Sequence, residues 1–267
     1  MRLCVCVKQV PASNETRLDP VTHTIIREGA EAVLNPFDAF AVEEAVRLKA
    51  RYGGSVTALS MGIPAAEAML RRVIAVGADE AVLLTDRAFA GSDTLATART
   101  LACAVRRAGP FDLILCGRMA TDGDTAQVGP MLAENLNIPH VCDIAAIESV
   151  ENGRLTARRL TDDGYARVRV PLPALVTVLK EINIPRLPSI GGVFRGEAAA
   201  VRVWNRQSLS IDPAETGLSG SATRVVKTMR PDLTVKAEVI EGTPAQQAER
   251  LVARLRARHL IGEEERL

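Results

Sequence analysis

Four short, almost purely apolar runs, 3–7, 55–60, 81–84 and 112–116, are separated by stretches in which apolar side chains recur at helical spacing. A strand with no polar face must be covered on both sides, and helices that link such strands in order produce a parallel sheet with crossovers. The first connecting helix is expected over Asp38–Tyr52, capped by Asp38, with Val42, Ala45, Val46 and Lys49 on one face and Gly53-Gly54 ending it. Two more are expected at 64–76 and 92–107. The expected fold class is α/β, a doubly wound, mostly parallel sheet.

Beyond Pro139 the pattern changes to alternating, arginine-bearing segments, 154–159 and 166–170, around an Asp162-Asp163-Gly164 turn. These read as an antiparallel extension of the sheet, followed by a buried strand over 172–179. From Asn183 to Gly192 the chain becomes rich in Pro, Gly and Ser, and the boundary of the core domain is placed at 185. Residues 186–267 are expected to form a loop and a C-terminal arm with a helix over 244–260. This tail has little to bury on its own, so it is expected to pack on another chain.

Charge excludes several classes of partner. With 33 basic and 32 acidic residues the net charge is +1, too small a field to draw nucleic acid or an anionic membrane. Aromatic residues make up 3%, too few for base-stacking platforms. No apolar run approaches the ~20 residues of a spanning helix, so no direct membrane insertion and a cytoplasmic location are expected. Cys4 and Cys6 share a strand face, but no Cys-x-x-Cys or nearby histidine completes a metal set, so no metal is expected. His23, His140 and His259 stand in unrelated contexts without a serine elbow or paired acid, and no catalytic side chain is expected.

The most informative stretch is 112–130, a strand, a loop with Gly117 and Gly123, and a helix expected from about Thr125 with Asp124 or Thr125 as its cap. Amides at such a helix start suit a phosphate, and a loop at the carboxyl end of a strand in this architecture is where ligands bind. A capped turn without a ligand fits the same spacing. It is neither a Walker loop nor a Gly-x-Gly-x-x-Gly fingerprint. Asp122 and Asp124 stand close to any phosphate, so their side chains are expected to point away or cap the helix.

Four separated segments, Val5-Cys6-Val7-Lys8-Gln9-Val10-Pro11, Asn35-Pro36-Phe37-Asp38 with Glu43-Glu44-Ala45, Gly77-Ala78-Asp79 and the run from Asp122 to Pro130, give the chain a resemblance to the beta subunit of electron-transfer flavoproteins. Pro171-Leu172-Pro173-Ala174 and Pro185-Arg186 continue it. The resemblance implies a sheet of the Rossmann or adenine-nucleotide alpha-hydrolase type and a heterodimer with an alpha subunit carrying its own FAD. It also implies a nucleotide pocket built from Cys6, Asn35, Asp38, Met61, Thr94, Asp122, Gly123, Asp124, Thr125, Ala126, Gln127, Val128, Gly129 and Pro130. That pocket holds AMP in housekeeping members and a second FAD in electron-bifurcating ones. Asp19-Pro20-Val21-Thr22, Cys116-Gly117-Arg118, the run 91–97 and the small residues Gly123, Thr125 and Ala126 resemble the bifurcating branch, so FAD is favoured over AMP. NADH would then be the electron donor, with a flavin dehydrogenase and ferredoxin or flavodoxin as acceptors. Pro185, Arg186 and Ile190 match the family's docking loop, with Ile190 at its apolar anchor; the lysines usual after it are absent, Arg195 being the nearest cation. The alternatives are a subunit that binds AMP only structurally and a stand-alone adenine-nucleotide-binding protein.

Overall fold

A computed structural model describes residues 1–12, 17–18, 25–26, 32–226 and 237–262. The chain divides into two units, Met1–Val226 and Lys227–Leu267. Asp19-Pro20-Val21-Thr22, His23 and the acidic end from Glu263 lie outside the described residues.

The first unit opens with β1 (Arg2–Cys6), β2 (Gln9–Pro11), β3 (Arg17–Leu18), β4 (Ile25–Ile26), β5 (Ala32–Leu34) and α1 (Pro36–Tyr52). Alternation follows: β6 (Ser55–Met61), α2 (Ala66–Val76), β7 (Glu80–Leu84), α3 (Thr94–Ala108), β8 (Leu113–Gly117) and α4 (Val128–Leu136). Then come β9 (His140–Glu151), β10 (Arg154–Thr161), β11 (Gly164–Pro171), β12 (Ala174–Val178), α5 (Ile190–Ala198), β13 (Arg202–Trp204), α6 (Arg206–Leu209) and α7 (Gly217–Gly220). Nine strands form one sheet in the order β11-β10-β9-β12-β8-β1-β6-β7-β13. All neighbours pair in parallel except β9 with β10 and β10 with β11. The small ladders β2-β5 and β3-β4 are antiparallel.

Burial explains the strand pattern. From Leu3 to Val7 and from Leu113 to Gly117 every side chain is buried, because α1 and α2 cover one face of the sheet while α3 and α4 cover the other. Helix α3 presents Ala96, Ala98, Ala102 and Ala104, all fully buried, and these small side chains let it lie close to the sheet. After β1 the chain winds outward through β6 and β7, then crosses back to place β8 on the other side of β1. The strand order therefore reverses between β1 and β8. At such a switch point the connections leave in opposite directions and open a crevice at the strands' carboxyl ends.

Several expectations are corrected. Asp38 does not cap α1; it sits in the first turn, buried, and Asn35 holds the cap position without a side-chain capping bond. Helix α4 begins at Val128, not near Thr125, and Gln127 rather than Asp124 or Thr125 stands at its cap. The long strand β9, which carries the antiparallel extension, was not anticipated. The first unit also runs on past residue 185 to Val226: α5 packs on α2, β13 joins the sheet edge, and Leu209 and Ile211 are buried against α3. Within the second unit, α8 (Pro244–Ala257) starts at a Thr243 and Gln246 capping box and buries no side chain. No helix among the described residues is long and apolar enough to cross a membrane.

Candidate functional site

The crevice is assembled from the ends of β1 and β8 and the start of α1. The Asp38 carboxylate is 6% exposed and accepts a hydrogen bond from the Lys8 backbone N–H at 2.7 Å, with the Gly117 and Asn35 groups also donating to it. Burial raises its pKa to about 7, offset in part by those donors. Asn35, 1% exposed, ties in the loop after β8: its Nδ2 donates to the Met119 carbonyl at 2.8 Å and its Oδ1 accepts from the Thr121 N–H at 3.2 Å. Gly117 is where β8 meets α1, and a Cβ there would lie 2.4 Å from Asp38 Oδ1 and 2.6 Å from the Phe37 carbonyl carbon.

Lys8 projects from the end of β1, and its Nζ donates to Asp122 Oδ1 at 2.6 Å. This accounts for one of the two carboxylates that stand close to any phosphate: Asp122 is drawn onto an ammonium that remains 43% exposed. From Gly123 to Gln127 the loop is exposed, and Asp124 (φ 52°) and Ala126 (φ 54°) adopt the left-handed conformation. Non-glycine residues pay about 1 kcal/mol or more for that region, so two in three positions is a concentration of strain of the kind found at binding loops. A Cβ at Gly123 would meet nothing within 4 Å. Thr94, the first residue of α3, donates from its hydroxyl to Gln127 Oε1 at 3.0 Å, closing the rim.

Below the rim, Cys6 faces Cys116 across the β1-β8 ladder with Cys4 beside it, all three buried thiols. Burial pushes the Cys4 thiol up, and hydrogen bonding with Cys6 together with burial does the same for Cys116. Met61 ends β6 on the other side of β1. Val128 and Pro130 are half-buried in the first turn of α4, and Gly129 lets that turn press on β12, since a Cβ there would come within 2.7 Å of Thr177 Cγ2. The crevice thus brings together Cys6, Asn35, Asp38 and the 122–127 loop. Lys8 and Gly117 belong to the same arrangement; Gly117 stood out in the sequence as a loop glycine, whereas no role was read for Lys8, since nothing in the sequence pairs position 8 with position 122.

The segment matching the docking loop is fastened to α1. Asn183 Nδ2 donates to the Phe40 carbonyl and to Glu44 Oε2, both at 3.0 Å. Arg186 forks onto Glu43, Nε to Oε2 at 2.7 Å and NH2 to Oε1 at 2.8 Å, while its backbone N–H adds a third bond at 3.1 Å. Burial opposes charge on Glu43, yet the Arg186 bonds hold its carboxyl below the usual range. Ile184, between these anchors, and Leu187 and Ile190, just beyond them, are 89%, 90% and 80% exposed, so the apolar anchor position has two neighbours that sequence reasoning passed over. Pro185 is half-buried. Arg186→Ala strips the two side-chain bonds from a buried carboxylate, leaving only the backbone N–H, and is expected to cost about 1–3 kcal/mol in urea unfolding. Because Glu43 is depressed, the pair's stabilisation is present above its ordinary pKa and is lost as pH falls through the lower folded value. The gap between wild type and variant should narrow in acid, and a gap constant with pH would contradict the assignment.

A doubly wound sheet with a strained, open loop and a buried carboxylate at its switch point places the chain among the α/β proteins whose fold offers a ligand site at the carboxyl ends of the strands. An electron transfer flavoprotein domain model matches residues 22–208, and the chain belongs to the electron transfer flavoprotein family. It is 47% identical to an electron transfer flavoprotein subunit beta of Thermoanaerobacterium thermosaccharolyticum, over 98% of this chain and all of the relative's. It is 43% identical to the caffeyl-CoA reductase-Etf complex subunit CarD of Acetobacterium woodii, again over 98% of this chain and all of the relative's. Identity to protein FixA of Azotobacter vinelandii is 42%, over 97% of this chain and 96% of the relative's.

Proposed function

We propose that the chain is the beta subunit of an electron-transfer flavoprotein heterodimer and that its switch-point crevice holds FAD. The observation that carries the reading is the open, left-handed loop from Gly123 to Gln127 over the buried Asn35 and Asp38 floor. A flavin bound there would supply acceptance of hydride from NADH and release of single electrons, towards the FAD of the alpha subunit and towards a ferredoxin or flavodoxin.

The residues present fit a dinucleotide. The loop's backbone and Thr94 would hold phosphate oxygens, the Lys8 ammonium would offset their charge once shared with Asp122, and Asp38 and Asn35 would accept and donate at the polar floor. Small side chains and open space at Gly123 leave room for a second phosphate. The C-terminal unit and the segment 183–190 would meet partner chains, the first the alpha subunit and the second a flavin dehydrogenase through Ile184, Leu187 and Ile190. That a relative carries the name of a caffeyl-CoA reductase-Etf complex supports a reading in which the heterodimer serves a dehydrogenase or reductase partner.

The test is the nucleotide content of the co-expressed heterodimer after denaturation. About two FAD per dimer and no AMP is the expected result for a redox-active beta site. One FAD and one AMP would make this subunit a structural carrier, as in the housekeeping reading.

A further inference from the structure

Thr94 closes the crevice rim on Gln127, and the loop that delivers it, Gly91-Ser92-Asp93, is fastened from outside by residues 217–223, which the chain reaches only after β13 and α6. Ser92 Oγ accepts from the Gly217 N–H at 3.2 Å. Ser221 Oγ accepts from the Asp93 N–H at 2.8 Å and reaches the Gly91 carbonyl oxygen at 3.2 Å. Asp93 Oδ2 accepts from the Thr223 N–H at 2.9 Å and from its hydroxyl at 3.0 Å. The backbones are as close: a Cβ at Gly217 (φ 56°) would lie 2.3 Å from the Ala88 carbonyl oxygen, and one at Gly91 would lie 2.6 Å from Leu218 Cγ. Capping α3 needs only Asp93 Oδ1, which accepts from the Ala96 N–H at 3.0 Å. The second oxygen therefore grips a different part of the chain, three residues before the first unit ends at Val226. Burial opposes charge on Asp93, yet the bonds from Ala96 and Thr223 hold its carboxyl below the usual range. Leu218, the large side chain of the segment, stays 64% exposed, so what the segment supplies here is its bonds to the loop.

We propose that residues 217–223 are a brace for the crevice, in which Ser221 and Thr223 are positioning residues that fix Asp93 and so set the place of Thr94 against Gln127. A hydroxyl holds a phosphate oxygen well only when its own backbone is held, because a side chain free to wander by about 1 Å loses the alignment its hydrogen bond needs. Loosening the brace should therefore loosen the rim without removing any group that touches a ligand. The effect on ligand release rests on the reading that the crevice holds a nucleotide; the fastening of the loop does not.

The experiment compares the co-expressed heterodimer with its Ser221→Ala, Thr223→Val double variant. In the nucleotide-free form, amide hydrogen exchange over residues 91–97 should be about fivefold faster or more in the variant. In the loaded form, FAD should leave this subunit about tenfold faster, but less than about twofold faster when the same pair is placed in a Thr94→Val background, because groups that act through one another are not additive. Ser208→Ala, which removes a capping hydroxyl from α6, is the control and should change neither rate. If the double variant does not assemble with the alpha subunit, Ser221→Ala alone carries the same test with smaller changes. Unchanged exchange over 91–97 would overturn the proposal. So would equal acceleration of FAD release in the two backgrounds, since the brace would then act by general loosening and not through Thr94. Faster exchange in a heterodimer whose beta crevice takes up no nucleotide would uphold the brace and sink the crevice reading instead.

Discussion

Gly117→Val is expected to lose about 3 kcal/mol or more of unfolding free energy and most of the bound nucleotide. The position has no slack. An added Cβ falls 2.4 Å from Asp38 Oδ1, 2.6 Å from the Phe37 carbonyl carbon and 2.8 Å from the Asp38 backbone nitrogen. Two of those three atoms are backbone at the start of α1, so relief requires moving the helix or the end of β8, and both are packed along their length. Either shift breaks the Asp38 bond to Lys8 and displaces the loop that Asn35 holds. Gly117→Ala should show the same direction with a smaller loss, and Gly123→Ala, where a Cβ meets nothing within 4 Å, should change stability by less than about 0.5 kcal/mol. Denaturant unfolding and released nucleotide per heterodimer measure both effects. A stable Gly117→Ala protein with full nucleotide would show that the approach of β8 to α1 is not what shapes the crevice.

That contrast also marks how far a sequence reading reaches. The strands β1, β6, β7 and β8 were legible because burial on both faces leaves no polar position to confuse the pattern, and three of the four helices that cover them were legible from their periodicity. Strand β9 was not, because register shifts in its ladder with β10 and the left-handed Asp143 (φ 60°) break the alternation that would have announced it. Helix α5 was hidden for a different reason. Gly191-Gly192 and Gly196 read as breakers, yet a Cβ at Gly192 would lie 2.3 Å from the Ala75 carbonyl oxygen and one at Gly196 2.4 Å from that of Arg71. Those glycines are the surface on which α5 lies against α2, and a sequence does not distinguish a glycine that ends a helix from one that brings two helices together.

The site was legible as a set of segments but not as a geometry. Asn35, Asp38 and the run from Asp122 were marked by resemblance, while the Lys8 and Asp122 pair joins residues 114 apart and exists only once β1 and β8 are neighbours. The start of α4 was misplaced because Thr121-Asp122-Gly123-Asp124-Thr125 is rich in capping residues. The chain spends them otherwise: Asp122 pairs with Lys8, and Asp124 and Ala126 take left-handed backbone that postpones the helix to Val128.

Asp38 gives the second large effect, and it is a dependence on pH. Burial raises its pKa to about 7, against about 3.9 in an unfolded chain, a separation of roughly three units or about 4 kcal/mol at most. For a carboxyl raised on folding, the stabilisation is fully present below the unfolded value and is lost as pH rises through about 7. The nucleotide-free heterodimer should therefore lose stability between pH 4 and 8, and Asp38→Asn should lack that component. Whatever constant amount the amide costs through its lost acceptor, the free-energy gap between wild type and variant should shift by about 2–4 kcal/mol across that window. Parallel curves would mean that the carboxyl titrates normally and is not desolvated. The same linkage bears on the ligand: a ribose or amino group donating to Asp38 favours the carboxylate, so nucleotide uptake near neutral pH should release a proton and tighten as pH rises. Calorimetry of reconstitution in buffers of different ionisation enthalpy reads that proton directly, and its disappearance in Asp38→Asn would place the carboxylate at the bound nucleotide.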